Sequence, residues 1–215
     1  EPVQIPILAS IAGDKVDDYV YLAEQLDSQS KIAGIEVNIS CPNVKKGGLE
    51  FGVDAQQVEM LVREVRQATR LPLIIKLSPN VTNIVKMAEA AVKGGADALA
   101  LINTLLGMKI DVNSRKPVMA NKVAGLAGPA IRPVAVRMVW QVAQNVDVPI
   151  IGMGGICTVE DALEFIMAGA TSIAVGTYNF VNPLAPVEII RGLQEFCCNE
   201  GVGDIKELIG CSWKR

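Results

Sequence analysis

A (β/α)8 TIM barrel, of which about six βα units are readable here, is the α/β fold that this sequence predicts. Two observations lead there. Short apolar, β-branched runs alternate with amphipathic helical stretches, which means parallel strands joined by right-handed crossovers. Such units could also form an open doubly wound sheet, so the second observation decides. Nearly every run ends in polar groups or glycines: Asn38 and Cys41, Lys76 and Ser78, Asn103 and Thr104, Gly154 and Gly155, Gly176 and Thr177. A doubly wound sheet concentrates its site at one switch point, whereas a barrel draws on most of its strand ends.

In chain order, Ile5 to Ala9 reads as the first strand. Asp14 to about Gln29 reads as a helix with Val16, Tyr19, Val20, Leu22, Ala23 and Leu26 on one stripe. The next strand carries Ile35, Val37 and Ile39 and runs to Cys41, where Pro42 forbids a continued ladder. Lys45, Lys46, Gly47 and Gly48 follow as a basic, flexible segment, either a lid or a solvated loop. Asp54 caps a helix to about Thr69, with Gln57 as its capping-box partner. Leu73 to Leu77 is a strand, Asn83 to about Lys93 a helix closed by Gly94-Gly95, and Ala98 to Ile102 a strand. Asn103 to Pro129 reads as irregular, and Ile131 to about Asn145 as a helix. Val148 to Gly152 is a strand, Thr158 caps a helix to Met167, and Ser172 to Val175 is the last strand. Helices from about Leu184 to Asn199 and near Ile205 to Leu208 close the chain, which reads as one domain over residues 1–215.

Composition narrows the function classes. Half of the 215 residues are hydrophobic, enough for one sizeable core. A net charge of −3 without a basic block gives no case for nucleic acid. No apolar run approaches the roughly 20 residues of a membrane span, and an odd, scattered set of cysteines fits free thiols in a reducing cytosol, so a cytoplasmic enzyme is expected. The first residue is Glu, and the chain reads as part of a longer or processed product. The five cysteines, Cys41, Cys157, Cys197, Cys198 and Cys211, form no Cys-x-x-Cys pair, and there is no histidine; no metal site is expected. The missing histidine also removes the commonest general base, leaving Cys, Lys, Asp, Glu or Tyr for proton chemistry.

Four sets of residues carry chemistry. Cys41 is a thiol at a strand's carboxyl end; by residue type alone it is a small buried hydrophobe, but Asn38, Ser40 and Asn43 surround it with polar groups. Lys76 lies in the apolar run Leu73-Ile74-Ile75-Lys76-Leu77, where an ammonium needs an anionic partner unless it snorkels from the strand end. Gly152-Met153-Gly154-Gly155 and Gly176-Thr177 end the last two strands, where this architecture binds phosphate on exposed backbone N–H groups. Asn38, Asn43, Asn103 and Thr104 are suited to a small planar ligand bearing amides and a carboxylate, although each alone could be a turn residue.

These motifs carry a resemblance. Asn38-Ile39-Ser40-Cys41-Pro42-Asn43 resembles the active-site loop of the class 1 dihydroorotate dehydrogenases. Ile102-Asn103-Thr104, Gly125-Leu126-Ala127-Gly128-Pro129-Ala130-Ile131, Ile151-Gly152-Met153-Gly154-Gly155 and Val175-Gly176-Thr177 follow with family-like order and spacing. Leu105-Leu106-Gly107-Met108 and Ser78-Pro79-Asn80 are most similar to the catalytic subunit of class 1B. The resemblance covers essentially the whole chain. It implies FMN-dependent oxidation of dihydroorotate to orotate in pyrimidine synthesis. Cys41 then matches the general base, whose ordinary pKa of roughly 8.5 can be brought toward neutrality by a nearby cation or dipoles. Asn38, Asn43, Asn103 and Thr104 match substrate contacts, with Asn38 also near the flavin. Lys76 matches the lysine at the flavin's pyrimidine end, Ile102 and Gly128 match flavin contacts, and Gly154, Gly155, Gly176 and Thr177 match the phosphate cradle.

Two departures from the family pattern stand out. Ser10 occupies a position where the family often has a flavin-facing asparagine. The family also has about two further βα units before this point, so six strands leave Ile5 to Ala9 and Ser172 to Val175 as unpaired edges of an unclosed barrel. Class 1B implies a homodimer of catalytic subunits and a second subunit carrying FAD and an iron–sulfur cluster; the cysteines here lack the clustering to ligate one. Two other readings compete: a related flavin oxidoreductase on another dihydropyrimidine, and an inactive barrel fragment that only binds a phosphate ligand or a partner.

Overall fold

The computed structural model describes residues 5–39 and 51–214. In chain order the elements are β1 (Ile7–Ile11), α1 (Val16–Asp27), β2 (Ile32–Asn38), α2 (Ala55–Ala68), β3 (Leu73–Lys76), α3 (Ile84–Gly94) and β4 (Ala98–Leu101). Then come the short strands β5 (Leu105–Gly107), β6 (Ile110–Asp111), β7 (Lys116–Pro117) and β8 (Ala124–Leu126), followed by α4 (Arg132–Ala143), β9 (Ile150–Met153), α5 (Val159–Ala168), β10 (Ser172–Ala174) and α6 (Ala185–Glu200).

The main sheet is parallel, in the order β1-β2-β3-β4-β9-β10. Each strand lies beside the next main-sheet strand in sequence, as in the wall of a barrel. Among the described residues β1 and β10 each have one sheet neighbour. Ile7 and Leu8 on β1 are correspondingly exposed.

The two faces of this wall differ, because side chains alternate along a strand. Ile35 and Val37, Leu73 and Ile75, Leu99 and Leu101, and Ile150 turn toward the helices and are fully or almost fully buried in the core cluster. Val58, Leu61, Val62 and Val65 of α2, Ala88 and Ala91 of α3, Val139 and Val142 of α4 and Phe165 of α5 meet them. Gly152 is needed in this layer: a Cβ there would stand 2.6 Å from Phe165 Cδ1. The opposite parity puts Glu36 and Asn38, Lys76, Met153 and Ala174 on the inner face.

Several helix starts follow the capping signals in the sequence. Asn83 accepts from the Lys86 N–H at 3.1 Å, and Gly95 takes the left-handed C-cap of α3 at φ 107°. Asp54 accepts from the Gln57 N–H at 3.0 Å, one half of the expected box. The reciprocal box is made at Thr158 and Asp161. The 103–129 segment departs from its irregular reading. It forms two small antiparallel pairs, β5 with β8 and β6 with β7. The second main strand also ends at Asn38, ahead of its expected limit at Cys41.

Tyr19 ties α1 to the site end of this wall. Its hydroxyl donates to the Asn38 carbonyl at 2.9 Å. Its ring meets Phe51 edge-on, with centroids 6.0 Å apart.

Candidate active site

Parallel pairing brings the strand ends together in register. Asn38 on β2 stands opposite Lys76 on β3, and Lys76 opposite Ala100 on β4. The ladder continues past β4: the Ile102 N–H donates to the Met153 carbonyl at 2.9 Å and the Asn103 N–H to the Leu77 carbonyl at 3.0 Å. Asn103 Nδ2 donates to Asn38 Oδ1 at 3.1 Å, while Asn103 Oδ1 accepts from the Thr104 N–H at 2.8 Å.

Asn80 braces the same loop from the end of β3. Its Nδ2 donates to the Thr104 carbonyl at 3.1 Å, and its Oδ1 accepts from the Leu106 N–H at 2.9 Å. The β5–β8 pair then leans on Thr104, since a Cβ on Gly125 would fall 2.2 Å from Thr104 Oγ1. The hairpin and the Asn103-Thr104 loop are thus a single packed unit.

The glycine loops form the other wall. Gly154 and Gly155 adopt φ 127° and 79°, where side-chain-bearing residues are strained. A Cβ on Gly155 would also lie 2.5 Å from the Gly128 carbonyl oxygen, so this loop and the Gly128 turn approach backbone to backbone. Gly176 has open space where a Cβ would point.

These loops enclose a cavity of about 400 Å³, within the roughly 300–1,000 Å³ range of small-molecule and cofactor sites. Lys76, Ile102, Asn103, Thr104, Gly128, Gly154, Gly155, Gly176 and Thr177 line it. Asn38 is not among the lining residues and meets the site through the bond it accepts from Asn103. Ser10 is not among the lining residues; its hydroxyl donates to Glu36 Oε1 at 2.8 Å. Cys41, Asn43 and the Lys45-Lys46-Gly47-Gly48 segment lie outside the described residues.

Sequence reasoning missed several lining groups, among them Glu36, Ala127, Met153, Cys157, Tyr178 and Val181. For Glu36 a signal existed: it lies two residues before Asn38, hence on the same strand face. Its carboxylate Oε1 lies 3.3 Å from Lys76 Nζ, with both side chains mostly buried.

Cys157 follows the Gly154-Gly155 turn. Its N–H donates to Asp161 Oδ2 at 2.8 Å. Burial pushes its thiol pKa up and the Asp161 carboxylate adds to this, against an opposing pull from Arg132. Arg132 at the start of α4 pairs with that carboxylate and with Glu164 at 3.1 Å, fastening α4 to α5 beneath the loop. Arg132 Nε makes no aligned hydrogen bond, so the Glu164 contact is ionic.

The arrangement offers an ammonium and amides on one side and glycine backbone on the other. It suits a ligand with a polar planar end and a phosphate. Among the described residues no group of three or more His, Cys, Asp or Glu side chains is placed to hold a metal ion, and no helix is long and apolar enough to cross a membrane.

Comparison with known proteins gives the same direction. The family model described as dihydroorotate dehydrogenase matches residues 1–197. A protein of Geotalea uraniireducens named dihydroorotate dehydrogenase B (NAD(+)), catalytic subunit, is 55% identical over 208 residues, covering 97% of this chain and 68% of the relative. Its namesake from Bacillus pumilus is 51% identical over 214 residues, covering 100% and 69%. That from Alkaliphilus oremlandii is 56% identical over 204 residues, covering 95% and 67%. The chain therefore spans about two thirds of the length of these relatives. The barrel wall, the strand-end cavity and this similarity over nearly the whole chain agree: the chain belongs to the dihydroorotate dehydrogenase family.

Proposed function

We propose that the cavity is the FMN site of a B-type dihydroorotate dehydrogenase catalytic subunit, which oxidises dihydroorotate to orotate in pyrimidine synthesis. The observation that carries this reading is one cavity walled by Lys76 at one side and by Gly128, Gly154, Gly155, Gly176 and Thr177 at the other. These residues fit the cofactor. Glycine backbone that approaches a ligand without side chains suits its phosphate, and a fixed ammonium suits its electron-rich pyrimidine end. When bound, FMN supplies the hydride acceptor.

The chain's own residues supply the rest. Asn38 and Asn103 hold each other and present amide groups to the substrate, with Thr104 beside them and Asn43 as a further contact. Ile102 and Gly128 would pack against the flavin, and Lys76 would balance negative charge on its reduced form. Cys41 takes the proton from substrate C5 while the hydride leaves C6. Without a histidine among these residues, a thiol is the suitable base.

The B-type similarity supports a partner electron-transfer subunit. That partner would carry FAD and an iron–sulfur cluster and pass electrons to NAD, with the catalytic subunits paired as a homodimer. Residues 1–215 act here as one FMN-binding domain.

Anaerobic mixing of the FMN-loaded protein with dihydroorotate tests the reading. The flavin colour should bleach in a single turnover. Cys41→Ser should keep the flavin but bleach at least about a hundredfold more slowly at neutral pH. An unchanged rate in Cys41→Ser would remove the thiol from the role of base.

A further inference from the structure

A carboxylate in the wall of a site for an anionic ligand works against binding unless it serves another purpose. Glu36 is such a group. It lines the cavity together with Lys76, and its Oε1 both accepts from the Ser10 hydroxyl at 2.8 Å and lies 3.3 Å from Lys76 Nζ. The three residues stand on three adjacent strands. Ser10 is in register with Glu36, whereas Lys76 is in register with Asn38, two residues further along β2. The Lys76 side chain therefore leans back along the strand, away from the barrel mouth, to reach Glu36. Only 22% of the Lys76 side chain and 17% of that of Glu36 are accessible. Partly buried ion pairs add little net stability and are better understood through what they hold in place.

We propose that Glu36 is a positioning residue of the flavin site, holding the Lys76 ammonium at a fixed depth and cancelling part of its field. The proposal rests on the reading of Lys76 as the cation beside the flavin. A bare ammonium there favours the reduced, more negative cofactor. The nearby carboxylate opposes this, and so lowers the reduction potential of bound FMN. Ser10 then acts on the flavin indirectly: its hydroxyl occupies the carboxylate and fixes its rotamer, which accounts for its absence from the cavity wall.

The test is the midpoint potential of bound FMN, with its dissociation constant in the oxidised state, for the parent, Glu36→Gln, Lys76→Met and the double variant. Glu36→Gln keeps an acceptor oxygen for both partners but removes the charge. It should raise the oxidised-to-reduced ratio of dissociation constants about tenfold, the order expected for one charge a few ångströms away in a partly buried site. For a two-electron couple that is about +30 mV. Lys76→Met should lower the potential. In the Lys76→Met background Glu36→Gln should still raise it, but by an amount differing from that in the parent, because the lysine's position no longer responds.

An unshifted potential in Glu36→Gln, beside a lowered one in Lys76→Met, overturns the role of Glu36 while leaving the flavin reading intact. No response to Lys76→Met removes the cation from the flavin and takes this proposal with it. Should Glu36→Gln fail to hold FMN, Glu36→Asp carries the same test. It withdraws the charge from Nζ by one methylene, and a smaller rise of the same sign is required.

Discussion

Asn103 Nδ2 donates to Asn38 Oδ1 at 3.1 Å, joining two strand ends that are separated by β3 in the sheet and by 65 residues in sequence. The bond orients the two amides together, and the Thr104 N–H that donates to Asn103 Oδ1 at 2.8 Å orients the second one further. Asn103→Ala should lower kcat/KM for dihydroorotate about 10- to 100-fold, the range for a lost hydrogen bond to a charged ligand. FMN affinity should change less than about threefold, as the phosphate cradle is untouched. Steady-state kinetics with a dye acceptor and a flavin titration check the two halves.

Gly125 controls the same loop from outside it. A Cβ there would collide with Thr104 Oγ1 at 2.2 Å, so Gly125→Ala must displace the hydroxyl, the β5–β8 pair, or both. Because the hairpin contributes little to the core, kcat/KM should fall by about tenfold or more while the melting temperature moves by only a few degrees. A variant with parental kinetics would show that Thr104 is not held by the hairpin.

Cys157 lines the cavity, and its thiol is pushed above the usual thiol range by burial and by Asp161. Only the thiolate alkylates. At neutral pH iodoacetamide should modify Cys157 about tenfold more slowly than the exposed Cys198 and Cys211. Its rate should keep rising with pH above the ordinary thiol range. Bound FMN should slow it further. Peptide mass spectrometry resolves the sites.

Asp27 links α1 to the loop before β3. Its Oδ1 accepts from Thr69 Oγ1 and from the Arg70 N–H, both at 2.6 Å. These bonds hold its carboxyl below the ordinary value of 3.8. A depressed folded pKa gives stability that is complete above the unfolded value and lost as pH falls through the folded one. Asp27→Asn should therefore melt below the parent at neutral pH, with the gap narrowing under about pH 4. Melting curves across that range check the sign; a gap independent of pH would contradict it.

Much of the wall was legible because its signals are local. Ile35-Glu36-Val37, Leu73 to Ile75 and Leu99 to Leu101 declare buried strands by residue type, and Asn83, Thr158 and Gly95 declare helix ends by capping chemistry. The β5–β8 and β6–β7 pairs were not legible. Their strands are two or three residues long and largely exposed, and they carry no alternation to read. Lys76 announced itself as a cation in an apolar run, but its partner did not. Glu36 sits 40 residues away, and only strand register brings the two together. Ser10 shows the same gap: its cofactor role was read by position, while its hydroxyl is bonded to a side chain on the neighbouring strand.

The phosphate cradle at Gly154, Gly155, Gly176 and Thr177 is the central claim, and comparative titration of the flavin-free protein with FMN and riboflavin tests it most directly. The two ligands share the ring and differ by the phosphate. Two or more charge-assisted bonds from backbone N–H groups predict that FMN binds about a hundredfold tighter. Gly155→Ala, strained at φ 79° and 2.5 Å from the Gly128 carbonyl oxygen, should shrink that preference by weakening FMN alone. Equal affinity for the two flavins, or a preference untouched by Gly155→Ala, would contradict the assignment.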